Sequence, residues 1–157
     1  MRRKPILAAL AGAGAAFAAV AVTAYAQAPN ATSTRTIRVI EKRTAITLVD
    51  NGSKGESAGD LGLVSGDLLT NSGKRLGRYQ GTCVVFKPSL GRTQCTFTLS
   101  LPEGQITTQA SYGPGFNGNK IVHEAIVGGT RSYNAARGQV VAEDTSETTE
   151  KLTIQLA

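Results

Sequence analysis

From Arg35 to Leu156 no stretch sustains the apolar spacing of a long helix. The chain runs instead in short segments whose residues alternate or cluster apolar, each stopped by Gly, Pro or Asn, the signature of strands. The segments are Arg35–Thr44, continued after a kink by Ala45–Val49; apolar pieces within Asp60–Leu69; Arg75–Lys87; Arg92–Leu101; Gln105–Tyr112; Lys120–Val127; Arg137–Ala142; and Lys151–Leu156. Asn51–Ser57 and Gly113–Asn119 read as loops, and Asn71–Lys74 and Pro102–Gly104 as tight turns. About eight short strands with such punctuation predict an all-β barrel or sandwich. A small antiparallel barrel is preferred, because eight strands enclose room for side chains or one small ligand.

The N-terminus has a different character. Arg2, Arg3 and Lys4 precede an apolar run, Ile6–Val22, and Ala24-Tyr25-Ala26 supplies a small-x-small cleavage pattern. This predicts a signal peptide over residues 1–26, with Ala26-Gln27-Ala28 as a second cleavage pattern and a retained anchor as the alternative. The expected mature domain is residues 27–157, secreted to the cell envelope or beyond and not inserted in a membrane. Loss of the three basic residues takes the formal net charge from +6 to +3. The remaining basic residues are scattered, Trp is absent, and no aromatic interleaves a basic run, which argues against nucleic acid as a partner. The sequence leaves homo-oligomer formation open. Glu143–Glu150 reads as a solvated acidic loop.

Export makes a disulfide the default for Cys83 and Cys95. They lie in two predicted strands around Pro88-Ser89-Leu90. If Lys87 faces Gly91, then Phe86 faces Arg92, Val85 faces Thr93, Val84 faces Gln94 and Cys83 faces Cys95, close enough to bridge. Two Cys and one His at no ligand spacing predict no metal site.

Ile37, Val39 and Glu41 share one face of the first strand. If that face points inward, so does Glu41, and a carboxyl on an apolar face has a raised pKa and serves acid–base chemistry. The alternatives are a strand-end Glu paired with Lys42 or Arg43, or one turned outward by a bulge. His123 alternates with Ile121 and Ala125 and reads as structural. No nucleophile–base motif, phosphate loop or cofactor fingerprint is present.

The stretch Ala125-Ile126-Val127-Gly128-Gly129-Thr130, followed by Tyr133, Ala135, Ala136, Gly138 and Gln139, resembles the allene oxide cyclase and dirigent barrel superfamily. Arg131 stands where that family usually has Gly. "GDLGLVSGDLLTNSGKRLGRYQGTCVVF" and "GQITTQASY" are similar to further strands of those proteins. The resemblance covers roughly Ile37 to Val141 and implies an eight-stranded barrel that works without a cofactor. It implies a catalytic carboxyl at Glu41, a pocket tyrosine at Tyr112 and a pocket cysteine at Cys83, whose pairing with Cys95 would remove it from chemistry. Asp60 falls in the family's Gly-Asp motif, as a turn-fixing or ligand-binding residue. The family's pocket asparagine has no counterpart in Ser65-Gly66-Asp67, where Asp67 is the residue able to take over a polar role. Gly128-Gly129 reads as a positive-φ turn and Gly138 as a close backbone approach. Arg131 and Arg137 read as solvated surface residues or as rim charges facing a ligand.

The expected function is an exported, cofactor-free cyclase- or isomerase-like barrel that binds a small apolar metabolite and steers its ring closure or rearrangement. The alternatives are a dirigent-like binding protein without turnover and an exported structural barrel.

Overall fold

The computed structural model describes residues 35–113 and 120–157. The predicted signal segment and its cleavage patterns lie outside the described residues, as do positions 114–119 of the predicted Gly113–Asn119 loop. Eight strands follow in order: β1 (Arg35–Val49), β2 (Leu61–Leu69), β3 (Arg75–Lys87), β4 (Arg92–Leu101), β5 (Gly104–Tyr112), β6 (Ile121–Gly129), β7 (Gly138–Ser146) and β8 (Thr149–Leu156). Each pairs antiparallel with the next, and β8 pairs back onto β1, so the sheet closes into the predicted barrel. The kink expected after Thr44 is a register slip of β1 on β2 between Arg43 and Ala45.

On the β3–β4 hairpin, Val85 faces Thr93, Val84 faces Gln94, and Cys83 faces Cys95 in a disulfide. The pairs expected nearer the turn do not form. Pro88–Leu90 makes one 3-10 turn that ends at Gly91 with φ 54°, and a bulge sets Lys87 opposite Arg92.

The structure corrects the reading of the glycines before the second short 3-10 turn, Arg131–Tyr133. Gly128 and Gly129 lie in β6 and neither has positive φ. The left-handed residues are Arg131 (φ 54°) and Ala135 (φ 60°). Gly129 is needed for space, since a Cβ there would lie 2.4 Å from the Tyr133 carbonyl oxygen. Gly138 does mark a close approach: it has φ 127°, and a Cβ would lie 2.0 Å from the Gln155 carbonyl oxygen.

The barrel interior has two halves. Toward the end where β1 begins, Val39, Leu68, Leu99, Ile106, Val140, Leu152 and Ile154 are buried. The buried Tyr133 packs at this end, with the Arg35 guanidinium 5.7 Å from its ring centre and ion-paired to Glu103 at 2.7 Å. This aliphatic plug supplies the burial that drives closure. The other half mixes apolar residues with carboxyls and hydroxyls.

Two outcomes follow. Alkylation of the native protein should label no thiol, and reduction should release two and lower stability by up to about 3 kcal/mol, the loop-closure term for a short ring; labelling without reduction contradicts the bridge. Gly138→Ala should cost about 1–3 kcal/mol in urea unfolding, because it forces a side chain into strained backbone. Gly128→Ala, with nothing within 4 Å of its Cβ position, should stay within about 0.5 kcal/mol.

Candidate functional site

Alternation along each strand decides which residues enter the barrel. On β6 the inward set is Val122, Glu124 and Ile126, while Ile121, His123 and Ala125 are exposed. His123 therefore faces away from the interior. On β8 the inward set is Glu150, Leu152 and Ile154, so Glu150 belongs to a strand and is half-buried, not part of a solvated loop as the sequence suggested. On β1 the face of Ile37 and Val39 does turn in, and Glu41 with it. Three carboxyls thus project into one space, which Asp144 of β7 also borders.

Their environments differ. Glu124 is buried, and its two oxygens accept hydrogen bonds from the Thr108 hydroxyl at 2.6 Å and the Tyr112 hydroxyl at 2.7 Å. Burial raises its pKa, and both hydrogen bonds pull in the opposite direction. The Tyr112 ring is held edge-on by Phe97, with centroids 6.4 Å apart. Glu41 sits directly across from Glu150 in the β1–β8 ladder. Burial, then the Glu150 charge, pushes the Glu41 carboxyl up to about 8. Burial, then Asp144, pushes Glu150 up to about 7. The Tyr79 ring lies beside Glu41; its buried hydroxyl interacts with that carboxyl but falls short of a hydrogen bond of normal geometry. Arg43 stands at the rim, its backbone N–H donating to the Thr148 carbonyl at 2.8 Å and its guanidinium to the Glu147 carbonyl.

These side chains surround a cavity of about 20 Å³, room for roughly one water or one polar group. A larger cleft of about 530 Å³ lies at the same end, where β1 ends and β2 begins. Leu48, Gly62, Cys83, Val85 and Thr93 line it, with loop residues Asp50 and Glu56. Thr93 pairs with Tyr112, so a cleft residue and a cavity residue lie side by side on β4 and β5. The Thr93 hydroxyl is buried without a hydrogen-bond partner among the described residues.

The predicted residues distribute as follows. Glu41 and Tyr112 meet at the cavity. Cys83 and Asp60 border the cleft instead. Cys83 is disulfide-bonded and offers no thiol. The Asp60 carboxylate accepts from the Ser57 and Asn51 backbone N–H groups at 2.6 and 2.8 Å, which hold its pKa down and fix the loop. Asp67 lies outside the barrel: it alternates with the inward Gly66 and Leu68 and pairs with Arg75 at 3.0 Å. Arg137 is exposed near the closed end and donates to the Ala136 carbonyl at 2.8 Å. Neither borders the cavity or the cleft. Among the described residues, no cluster of His, Cys, Asp and Glu could hold a metal ion, and no helix is long and apolar enough to cross a membrane. Sequence reasoning missed Glu124, Glu150 and Tyr79. The signal for Glu124 is present: Val122-x-Glu124-x-Ile126 has the alternation that marked Glu41.

A carboxyl whose folded pKa lies above its unfolded value keeps its proton longer in the native state, so stability falls as pH rises through the gap. For Glu41 that window runs from about 4.5 to about 8. Glu150, Glu124 and Asp144 carry the facing negative charge, opposed by Arg43. Melting should therefore be higher at pH 5 than at pH 8, by roughly 5 °C or more. Glu41→Gln should flatten that slope; an unchanged slope would show that other groups carry it.

Three comparisons bear on this arrangement. A family model, the allene oxide cyclase barrel like domain, matches residues 34–156. Among solved structures, a pyocyanin demethylase superposes with a TM-score of 0.65 at 25% identity, over 79% of this chain and 99% of that one. An exo-specific intermolecular Diels-Alderase, AbnU, gives 0.63 at 17%, over 79% and 98%, and the pterocarpan synthase dirigent protein PsPTS1 gives 0.60 at 14%, over 80% and 94%. No curated protein sequence matches the chain. With the family model spanning the whole closed barrel, from the first residue before β1 to the last of β8, the chain belongs to the allene oxide cyclase barrel like domain family.

Proposed function

We propose that this protein is an exported enzyme that rearranges or closes a ring in a small, largely apolar metabolite by acid–base chemistry inside the barrel. The observation that carries the reading is a pair of carboxyls in different settings, the buried Glu124 among donors and the half-buried Glu41 beside another acid. Glu124 accepts from two donors, Thr108 and Tyr112, which favour its ionised form against the burial that raises its pKa, and it is assigned as the base. Glu41, raised to about 8, holds a proton at neutral pH and is the acid. Two titratable groups with divergent environments mark an acid–base pair. The substrate's apolar body lies in the cleft, whose volume is within the usual range for small-molecule sites. One polar group at its reacting end enters the polar cavity, while confinement of the body in the cleft restricts how it closes. Structural neighbours named as a demethylase and a Diels-Alderase support small-molecule chemistry in this barrel type. The disulfide supports export, since such bonds persist in oxidising compartments. The protein's own side chains supply this chemistry, with no cofactor assigned a step.

The small cavity favours a second reading, a dirigent-like binder that orients a ligand without turning it over. One experiment separates the two. Ring closure and isomerisation leave mass unchanged, so culture extracts are incubated with the mature protein and searched for metabolites that shift retention at constant mass. The enzyme reading expects such a conversion, slowed about 100- to 10,000-fold by Glu124→Gln, the range for a positioned base. Retention of a metabolite on the protein with no conversion establishes the binder and removes the catalytic assignment.

A further inference from the structure

We propose that Tyr79 and Glu41 form a two-donor receptor for one oxygen atom of the substrate, so that the molecule handled carries a carbonyl or enolic oxygen on an apolar body. The inference rests on the proposed function for the presence of a small-molecule ligand, not for turnover.

Tyr79 is 2% exposed, and its hydroxyl is buried with no hydrogen-bond partner among the described residues. Leaving such a group unpaired costs about 1–3 kcal/mol, and native structures seldom keep one without a use. The hydroxyl borders the polar cavity beside the Glu41 carboxyl without completing a hydrogen bond to it. An acceptor atom placed between the two groups would satisfy both.

No described neighbour completes a hydrogen bond of normal geometry to this hydroxyl. Both Glu124 oxygens are engaged by Thr108 and Tyr112. Arg43 is a donor, and it is turned to the Glu147 carbonyl. The rest of the wall is apolar, from Val64, Phe97, Val122 and Ala142, apart from Asp144 and Glu150 toward the open end. A cavity of about 20 Å³ takes an oxygen-bearing group and excludes a ring. A carbonyl oxygen fits these demands, because its two lone pairs accept from two donors at once. The same pair would stabilise negative charge developing on that oxygen as an enol or enolate forms, as a tyrosine and a protonated carboxyl do in a ketosteroid isomerase.

The test uses three probes of one shape on the mature protein: 2-acetylnaphthalene, its oxygen-free analogue 2-isopropenylnaphthalene, and 1-(2-naphthyl)ethylamine. Binding is followed by fluorescence, and the ketone's carbonyl stretch by infrared difference spectroscopy with a carbon-13 label. The ketone should bind about 3- to 10-fold more tightly than the alkene, the range for one added hydrogen bond, and its carbonyl stretch should move to lower frequency. Tyr79→Phe should abolish both effects while leaving alkene affinity and melting temperature unchanged or higher, since it removes only an unpaired hydroxyl. Glu41→Gln keeps a donor and should retain most of the preference. Equal affinity for ketone and alkene, no binding of either up to the solubility limit, a preference for the amine, or a ketone preference that survives Tyr79→Phe would each overturn the proposal. Ketone discrimination without conversion of any metabolite supports it while removing the enzymatic reading.

Discussion

Closure of β8 onto β1 sets Glu41 directly opposite Glu150, and the β7–β8 ladder sets Asp144 opposite Glu150 on the other side. Three acidic side chains therefore lie abreast across three strands near the open end of the barrel. Like charges directly opposed on a sheet repel, and burial sharpens the repulsion. The barrel can close in this register only if protons are held among these carboxyls or a cation is brought close. Both occur. Burial and mutual repulsion keep Glu41 and Glu150 protonated to unusually high pH, and Arg43 is tied to the turn that joins β7 to β8. The chemistry at this end is thus a consequence of sheet closure.

Glu124 is built by a different logic. It is more deeply buried than Glu41 or Glu150, yet it faces donors rather than acids. Thr108 and Tyr112 are alternate inward residues of β5, and β6 brings Glu124 between them. Each donor is itself packed: Thr108 is fully buried, and Tyr112 is braced by Phe97. The two donors offset part of the cost of burying its charge, although burial still raises its pKa. One barrel interior thus contains a carboxyl pair whose pKa values are raised by burial and by neighbouring acids, and a third carboxyl whose burial is opposed by two hydrogen-bond donors.

Most of the architecture was legible because it follows from local rules. Strand alternation and turn residues placed β3 and β4 at their observed bounds, and opposition across the hairpin gave the Cys83–Cys95 bridge. Glu41 was legible for the same reason, as one polar residue on an apolar face. The misreadings concern what only tertiary context decides. Glu150 reads as solvated beside Glu147 and Asp144, until β8 is seen to start at Thr149 and turn it inward. Asp67 is one residue out of phase with the interior, and a one-residue phase error reverses a strand's faces. The positive φ assigned to Gly128-Gly129 falls on Arg131 and Ala135, because the chain leaves β6 through a short 3-10 turn. Nothing in a single strand reveals that Tyr79 ends beside Glu41, since that contact crosses strands.

The same cross-strand packing explains the absent pocket asparagine. The inward position within Ser65-Gly66-Asp67 is Gly66, and a Cβ there would lie 2.5 Å from the Tyr79 ring and 2.1 Å from the Lys42 carbonyl oxygen. One strand over, a Cβ at Gly81 would lie 2.2 Å from the Phe97 ring. Each glycine is a seat for an aromatic ring from the neighbouring strand. The rings fill space that larger side chains on β2 and β3 would occupy, which is why the cavity between them is only about 20 Å³. No polar side chain fits at Gly66, so polar contact in this part of the barrel is delivered from β3, by the hydroxyl at the tip of the ring that lies over it. The glycine and Tyr79 are a single device, and a larger residue at Gly66 would displace the very hydroxyl that faces Glu41.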